Sequence, residues 1–498
     1  MTICAFPAGF TSSNGGGSSA PINSIPAAPN VSFSNIARTI AEFTLRETYV
    51  HCAACYSTLN PLADLLRTYA RDKDQPVSQD KTNRSFAYLV WGLGAFGFFY
   101  AWFQRVIPSV MVDHLMSDFA VSGVVLGTLS SLYFYVYAAM QLPVGALIDR
   151  WGPGVPYASA LILAATGSVL FATANTIELA YLGRILIGAG SAFAWVAVLK
   201  ITVLHFSPSR FAMLSGAGMF FGMFGGFSGQ ILGGTLVDAV GWRMTMWGLA
   251  ITGIVLSVAV FTLVGRHKTE GTTNTDTLTM KEILITFTSA LRLPQVWLIG
   301  CGGAIAAAPV FIFGALWGVP FLMQIHGLPR PLSASLTAMM LIGWGLGAFF
   351  SGWLSDKMGQ RRKPLIVGIV VAMASLSAAI YFPDLPTIAI AALLLLGGLG
   401  SGVIILIFAI SGDLAPDAAR GSTFAFVNML MILSGAIFQP VTGLLLDLNW
   451  NGVTENSARL YDLNAYQIAF LLIPITSIVG MLMIVSSRNT EKCAGRPA

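Results

Sequence analysis

Long apolar runs separated by short polar connections make up most of this 498-residue chain. The hydrocarbon core of a bilayer is about 30 Å thick and takes about 20 mostly apolar residues as a helix. Twelve runs meet that length, starting near Phe86. These predicted spans, numbered one to twelve, cover about residues 86–109, 121–147, 155–175, 178–203, 212–237, 244–264, 295–323, 333–354, 364–383, 386–412, 421–446 and 465–486. The pattern predicts an all-α integral membrane protein.

A polar connection of about residues 265–294 divides the spans into two sets of six. Two sequence patterns recur across it after 207 and 209 residues: Gly145 to Asp149 matches Gly352 to Asp356, and Gln230, Gly234 and Asp238 match Gln439, Gly443 and Asp447. Two unrelated patterns at nearly one offset indicate an internal duplication. We therefore predict two pseudo-symmetric six-helix bundles, residues 86–264 and 295–488, with a short tail at 489–498.

Lys and Arg are concentrated in alternate connections, and this asymmetry predicts orientation. With the N-terminus inside, the outside connections hold only Arg243, Arg330 and Arg459. Both termini are therefore predicted to be cytoplasmic, in a plasma membrane of the bacterial inner-membrane type.

Residues 1–85 differ from the rest because they contain no span. The first 30 or so are rich in Gly, Ser, Ala and Pro, and no apolar stretch follows a basic start, so a secretory signal is not expected. We interpret the segment as a disordered cytosolic extension, with an over-extended gene start and a transit peptide as alternatives. His51, Cys52 and Cys55 offer three ligands, but structural zinc takes four, so no metal is predicted.

The composition supports a membrane protein: 55% of residues are hydrophobic and 10% are charged, against about 25% charged in soluble proteins. The net charge of +5 comes from short basic clusters between apolar runs, which favours orientation over nucleic-acid binding. No nucleophile with a neighbouring base and no phosphate loop is present. We expect neither an enzyme nor a cofactor; the predicted partners are the lipid bilayer and a small-molecule substrate, and the protein is expected to be a monomer.

Three motifs resemble those of the major facilitator superfamily. Its signature loop resembles the segment after span two, Gly145-Ala-Leu-Ile-Asp149-Arg150-Trp-Gly152, and the one after span eight, Gly352-Trp-Leu-Ser-Asp356-Lys357-Met-Gly359-Gln-Arg361. Its span-four motif resembles Arg184-Ile-Leu-Ile-Gly188-Ala-Gly190. The resemblance implies two bundles around a cavity that opens alternately to each side, and hence a secondary transporter. Organic-anion and uncharacterised bacterial facilitators are the most similar members.

The signature loops are predicted to act as gates. A carboxylate at the cytosolic end of a span can bind the N-terminus of a neighbouring helix or a basic side chain. The predicted gating residues are Gly145, Asp149, Arg150, Gly352, Asp356, Lys357 and Arg361. The alternative is an orientation signal with a tight turn.

An ionisable side chain inside a span is costly and is therefore a functional candidate. Arg105 in span one resembles the arginine with which organic-anion and organophosphate transporters hold their substrate, and a guanidinium can bind a carboxylate through two hydrogen bonds. Organophosphate members pair that arginine with a second one in span seven, but span seven here, from Cys301 to Gln324, has no basic residue. The resemblance therefore favours a carboxylate, an amino acid or a short peptide over a phosphate ester. The alternative is an arginine that extends to the outer surface.

Other polar and aromatic side chains can line the same cavity, although each can also serve packing. The further predicted substrate-binding residues are Gln104, Tyr137, Arg184, Trp195, Gln230, Trp317, Asn428 and Gln439. Gln230 and Gln439 are related by the repeat and can meet across the cavity. No carboxylate falls in the middle of a span, so coupling to H⁺ is predicted through Asp113, His114 or Arg184, with uniport or exchange of an anion as alternatives.

Two other functions fit less well. A multidrug/proton antiporter would be expected to have a protonatable carboxylate in span one, where this chain has Gln104 and Arg105. The glycine-rich span five resembles the gating helix of such antiporters, but the proline of their motif is missing, so close packing is the preferred interpretation. A non-transporting sensor on the same fold is favoured only by the long N-terminal segment.

Overall fold

The computed structural model describes residues 81–265, 293–415, 420–455 and 457–487. The N-terminal extension, most of the polar connection and the C-terminal tail lie outside these ranges, as do His51, Cys52 and Cys55. The described chain is helical apart from its connections and one short antiparallel hairpin, Thr454–Glu455 with Ala458–Arg459.

The helices of the first half match predicted spans one to six. Span one is the α-helix Lys81–Val106 followed by the 3₁₀ turn Ile107–Val110, and the short helix Val112–Phe119 comes next. Span two is Gly123–Trp151, span three is Gly154–Ala172, and span four consists of Ile177–Ser191 and Phe193–His205. Spans five and six lie in one helical segment, Pro208–Val260, which a π turn, Phe261–Gly265, extends.

The second half has the same order of helices. Span seven consists of Pro294–Ala306, the π-helix Val310–Trp317 and Gly318–His326; span eight is Arg330–Met358, and span nine is Arg362–Tyr381. Span ten consists of Thr387–Gly402, the 3₁₀ turn Val403–Ile405 and Leu406–Leu414; span eleven is Arg420–Leu448, and span twelve consists of Leu463–Ala469 and Leu472–Ser486.

Eleven helical segments of the described residues are long and apolar enough to cross a membrane, one fewer than predicted. The difference lies in Met213–Val264, which has 52 residues. At 1.5 Å per residue a straight helix of that length would measure about 78 Å, more than twice the thickness of the hydrocarbon core. Gly241 breaks the segment with φ 81° and ψ 161°, at the boundary that the sequence predicts between spans five and six.

The two halves meet along two pairs of helices. Span two packs against span eleven, and span five against span eight. Within the halves, span three packs on span four and span nine on span ten, while span one packs on span five and span seven on span eleven. Each pair maps onto its counterpart under the sequence offset of about 200 residues, as an internal duplication requires.

The glycines of span five allow it to lie directly against span one. A Cβ atom added to Gly225 would lie 2.2 Å from the backbone oxygen of Phe99, and one added to Gly229 would lie 2.9 Å from that of Phe103. No larger residue fits at these distances. The predicted close packing of the glycine-rich span is thereby confirmed.

The break at Gly241 gives the first testable prediction. Its backbone conformation is one that almost only glycine adopts, so Gly241→Ala is expected to lower the free energy of unfolding by about 1–3 kcal/mol. The midpoint of thermal unfolding of detergent-purified protein measures the effect. Gly248→Ala is the matched control, because Gly248 is helical and an added Cβ meets no atom within 4 Å. Equal midpoints for the two variants would contradict the prediction.

Candidate functional site

Arg105 lies near the end of the α-helical part of span one, among aromatic rings. Its guanidinium carbon is 4.1 Å from the ring centroid of Trp102 and 4.9 Å from that of Tyr137. The rings of Tyr133 and Phe134 follow at 5.4 and 5.9 Å. A cation is attracted to an aromatic face within about 6 Å. These four rings, from spans one and two, are called the aromatic cage below.

The charge of Arg105 has no acidic partner in the described part of the chain. The ion pairs found in residues 81–265, 293–415, 420–455 and 457–487 do not include it. Arg105 is only 6% exposed, and its Nε atom is buried without a hydrogen-bond partner in those ranges. A guanidinium held in this way keeps N–H donors that an anionic ligand can use.

The aromatic cage borders the second half of the protein. Trp102 contacts Trp344 of span eight with ring centroids 6.0 Å apart. Phe134 contacts Phe311 of span seven edge-to-face at 5.5 Å. Arg105 is therefore placed where the two halves meet, which is where a ligand would be reached by both.

Gln104 and Arg184 are engaged inside the first half. Gln104 is fully buried, and its Oε1 atom accepts a hydrogen bond from the Ser168 hydroxyl of span three at 3.1 Å. The guanidinium of Arg184 donates to the backbone oxygens of Gln104 at 2.7 Å and Arg105 at 3.4 Å. Their polar groups thus serve contacts between helices in this conformation.

The two glycines of the span-four motif explain how Arg184 reaches span one. A Cβ atom on Gly188 would lie 2.7 Å from the backbone oxygen of Tyr133 in span two. One on Gly190 would lie 2.3 Å from that of Ala160 in span three. Only glycine permits such close contact. Span four therefore lies directly against two neighbours, and Arg184, one turn earlier, extends to a third.

Two other predicted cavity residues are half-buried. The Trp195 ring of span four lies 5.0 Å from that of Phe98, close to the aromatic cage. Asn428 lies on span eleven in the second half. Their placement is compatible with the predicted role and does not test it.

Gln230 and Gln439 both bind span seven, and the hydrogen bonds of the described residues include none between their side chains. Nε2 of Gln230 donates to the backbone oxygen of Gly314 at 2.5 Å, and Nε2 of Gln439 donates to that of Phe311 at 3.0 Å. Both oxygens lie in the π-helical stretch Val310–Trp317. Trp317 is fully buried in it, and its indole N–H donates to the backbone oxygen of Gln439 at 3.1 Å. The bond from Gln230 crosses between the halves.

An arginine of the second half forms ion pairs with two carboxylates of the first half. They lie at the end of the helices where span two begins, which is called the Asp113 end below. Arg330, the first residue of span eight, lies with NH2 2.7 Å from Asp113 and Nε 2.8 Å from Asp238. NH1 also donates to the backbone oxygen of Val110 at 2.9 Å. The coupling candidate Asp113 is thus part of an ion pair between halves, and its neighbour His114 is half-buried.

Asp447 forms the matching contact from the opposite half. Its carboxylate accepts hydrogen bonds from the backbone N–H groups of Gly123 at 2.9 Å and Val124 at 2.7 Å, at the N-terminus of span two. Arg459 and the Tyr461 hydroxyl also donate to it, at 3.1 and 2.6 Å. Burial and the bond to Asp447 raise the pKa of Tyr461, so its phenol remains a donor at neutral pH.

The roles of Arg330 and Asp447 were missed by sequence reasoning, which placed them only at outer ends. The signal was present in the repeat, because Gln, Gly and Asp spaced four residues apart lie on one face of a helix. In span five that face contacts Gly314, Ala334 and Arg330 of the second half. The repeated four-residue spacing in the sequence therefore already marked these interface residues.

The glycines of span two have different surroundings at the Asp113 end and at the end that carries the signature loops. At the Asp113 end a Cβ atom on Gly127 would lie 2.7 Å from the backbone oxygen of Gln439. Gly145 lies 18 residues further along span two, which is about five turns and thus the same face. A Cβ atom there meets no atom of the described residues within 4 Å, nor does one on Gly352 of span eight.

The remaining gating residues are mostly exposed. Arg361 forms an ion pair with Asp413, which lies in the same half. The Arg150 guanidinium lies 5.7 Å from the Trp151 ring, and the Lys357 ammonium lies 5.1 Å from the Trp353 ring. The side chains of Asp149 and Asp356 lie outside what the structure describes, so their gating role stays a prediction.

Two helical halves around a caged, buried cation define a polytopic membrane protein with its candidate site at the interface. The family model of the Major Facilitator Superfamily matches residues 94–345 and 299–494. The chain therefore belongs to the Major Facilitator Superfamily of membrane transporters, as its motifs predicted.

Individual relatives agree with this assignment. The chain is 26% identical over 373 residues to YybO of Bacillus subtilis (strain 168), named as an uncharacterized transporter, covering 70% of this chain and 84% of the relative. It is 25% identical over 435 residues to MdtD of Yersinia pestis (strain Pestoides F), named as a multidrug resistance protein, covering 76% and 92%. A bacterial homolog of the human lysosomal transporter Spinster, solved inward-facing and unoccupied, has a similar fold with a TM-score of 0.66, 18% identity and coverage of 81% and 95%.

The Asp447 contact gives a second prediction. Asp447→Ala removes the acceptor of the Val124 N–H group and the charged acceptor of the Gly123 N–H group, so the free energy of unfolding should fall by about 1–3 kcal/mol. The midpoint of thermal unfolding in detergent measures it. Asp384→Ala, an exposed carboxylate between spans nine and ten, is the control and should unfold like the parent. A midpoint for Asp447→Ala equal to that of the control would show that the contact contributes nothing.

Proposed function

We propose that this protein is a secondary transporter that moves a small organic anion or zwitterion by alternating access. Arg105 binds the negative charge of the substrate, which is a carboxylate, an amino acid or a short peptide. The observation that carries the proposal is the buried guanidinium of Arg105, which four aromatic rings surround and no carboxylate of the described residues neutralises.

The energetics of the cage support an anionic ligand. Removing a charge from water costs several kcal/mol, and a partner of opposite charge recovers part of that cost. The rings stabilise the cation without occupying its N–H groups in ionic bonds. An incoming carboxylate thus gains a charge-assisted, two-fold hydrogen bond while the protein gains a neutral site.

A single negative charge is the better match. Arg184 is the other buried guanidinium of the first half, and its NH1 and NH2 groups donate to backbone oxygens of span one. Span seven supplies no basic residue to the second half of the cavity. One cation without an acidic partner among the described residues suits a monocarboxylate or the carboxylate end of a zwitterion.

The chain crosses the membrane twelve times in two six-helix bundles, with the break at Gly241 separating the fifth crossing from the sixth. The length of Met213–Val264 supports this count, because one crossing cannot accommodate it. The distribution of Lys and Arg places both termini, residues 1–85 and the connection 265–294 in the cytoplasm. The transporter acts as a monomer in a bacterial inner membrane.

In this orientation the Asp113 end faces outward and is closed. Arg330, Asp447 and Gln230 join the halves there, whereas a Cβ atom added to Gly145 or Gly352 at the inner end would meet no atom of the described residues within 4 Å. The conformation is inward-facing. For the cavity to open to the outside, the outer contacts must break. Asp149, Asp356 and the basic residues of the signature loops then close the inner end.

Coupling to H⁺ runs through Asp113, which binds Arg330 and lies beside His114. A proton on Asp113 removes one of the two charges that hold Arg330, so protonation favours opening. Exchange of one anion for another is the alternative that needs no protonatable group. Arg184, the third coupling candidate, acts on coupling only indirectly, by holding the turn of span one that contains Gln104 and Arg105.

A multidrug antiporter is the second candidate, and the relative named as a multidrug resistance protein favours it. Aromatic side chains around the site would suit an apolar drug. Against it stands the charge of Arg105, which repels the lipophilic cations that many such exporters take. A non-transporting sensor is the third candidate, and deleting residues 1–80 separates it, since transport should survive that deletion.

Ligand binding by detergent-purified protein tests the proposal. A ligand present at about 100 times its Kd stabilises the native state by about 2.7 kcal/mol, so it raises the midpoint of thermal unfolding. Lactate, benzoate, alanine, dialanine, succinate and lipophilic cations are compared for the parent, Arg105→Ala and Arg210→Ala. We expect an anion or zwitterion to stabilise the parent and the control Arg210→Ala, whose arginine is exposed, but not Arg105→Ala.

Two results would refute the assignment. Stabilisation by lipophilic cations alone supports the multidrug antiporter. An anion that stabilises Arg105→Ala as strongly as the parent binds elsewhere, and Arg105 is then a structural residue.

A further inference from the structure

Pro108 removes a hydrogen-bond donor from the turn that carries Arg105. In an α-helix the N–H of residue 108 would donate to the backbone oxygen of Gln104, four residues earlier. Proline has no N–H. The α-helix ends at Val106 and the chain continues as the 3₁₀ turn Ile107–Val110. The oxygen of Gln104 therefore lacks its helical donor directly beside Arg105.

Arg184 supplies a donor at that position. Its NH1 group lies 2.7 Å from the backbone oxygen of Gln104, and its NH2 group lies 3.4 Å from that of Arg105. Arg184 is 1% exposed and pairs with no carboxylate of the described residues. Water cannot easily replace it there, so these oxygens depend on the guanidinium.

The same guanidinium also contacts the aromatic cage. The Tyr133 ring lies 5.0 Å from the guanidinium carbon of Arg184 and 5.4 Å from that of Arg105. Gly188 holds span four against the backbone of Tyr133. The packing of Gly188 against Tyr133 therefore fixes the helix that carries Arg184, while the guanidinium contacts both the turn of span one and the Tyr133 ring of the aromatic cage.

We infer that Arg184 is a positioning residue: it replaces the N–H that Pro108 lacks and thereby fixes the turn from which Arg105 binds substrate. The inference rests on the proposed anion site for its functional meaning. It assigns to Arg184 a role other than substrate contact or proton transfer, because NH1 and NH2 both donate to backbone oxygens.

A double-mutant cycle tests the inference without a known substrate. Arg184→Met removes the N–H donors and keeps a long apolar side chain, while Pro108→Ala restores the backbone N–H. Hydrogen–deuterium exchange of peptides covering residues 99–111 is compared for the parent, both single variants and the double variant. We expect Arg184→Met to speed exchange there by about tenfold, in line with the loss of one charge-assisted hydrogen bond, and Pro108→Ala to reverse most of that increase.

Pro143→Ala is the matched control, because Pro143 lies inside span two and its turn does not contact Arg184. Combined with Arg184→Met it should leave the exchange of residues 99–111 fast. The inference is overturned if Pro108→Ala rescues no better than Pro143→Ala, or if Arg184→Met speeds exchange equally throughout the protein. Arg184→Leu, which also removes the N–H donors, replaces Arg184→Met in the same cycle should the latter not fold, with the same criterion of rescue.

The functional part is read from ligand binding in the same four proteins. With an anion that stabilises the parent, Arg184→Met should weaken the shift of the midpoint and the double variant should regain it. If Pro108→Ala rescues the exchange but Arg105→Ala does not change ligand binding, the proposed anion site is refuted. The contact of Arg184 with the turn is then still established.

Discussion

A guanidinium within a membrane span must find stabilising contacts inside the protein, and this requirement organises the first half of the structure. Arg105 is stabilised by aromatic faces and Arg184 by backbone oxygens. The two solutions differ in consequence. The rings carry no formal negative charge, so the charge of Arg105 stays without an acidic partner among the described residues, whereas two backbone oxygens accept hydrogen bonds from Arg184. The placement of Tyr133 beside both links the substrate site to the packing of span four.

Close helix packing makes this arrangement stable. Glycines at Gly188, Gly190, Gly225 and Gly229 bring spans one to five into backbone contact, so the caged arginine rests on a rigid base. Contacts between the halves add ion pairs and hydrogen bonds to helix ends at the Asp113 end to ring contacts and to close packing at Gly127. The proposed alternating access requires the ionic contacts at that end to break, whereas glycine-lined packing within the first half suits a unit that moves as one body.

The sequence predicted the helices well because apolar length and glycine and proline positions are local properties. Predicted span two ended four residues before the observed helix, and the boundary between spans five and six fell on Gly241. Arg105 was identified because a charge within an apolar run is conspicuous. The partners of Gln230 and Gln439 were not identified, because both side chains bind backbone oxygens of span seven. Every residue has a backbone oxygen, so the sequence does not indicate which one is bound.

The sequence by itself determined the membrane-spanning class, the repeated patterns and the family, and it singled out the arginine that is proposed to bind an anion, because each depends on composition, spacing or a motif. Only the tertiary structure decided which side chains surround Arg105, that Arg184 binds the turn at Pro108, and that Arg330 joins two carboxylates of the other half. The contacts of Arg184 and Arg330 join residues about 80 to 220 positions apart. The physical reason is that such pairings depend on how helices cross and rotate against one another, and local patterns do not specify that.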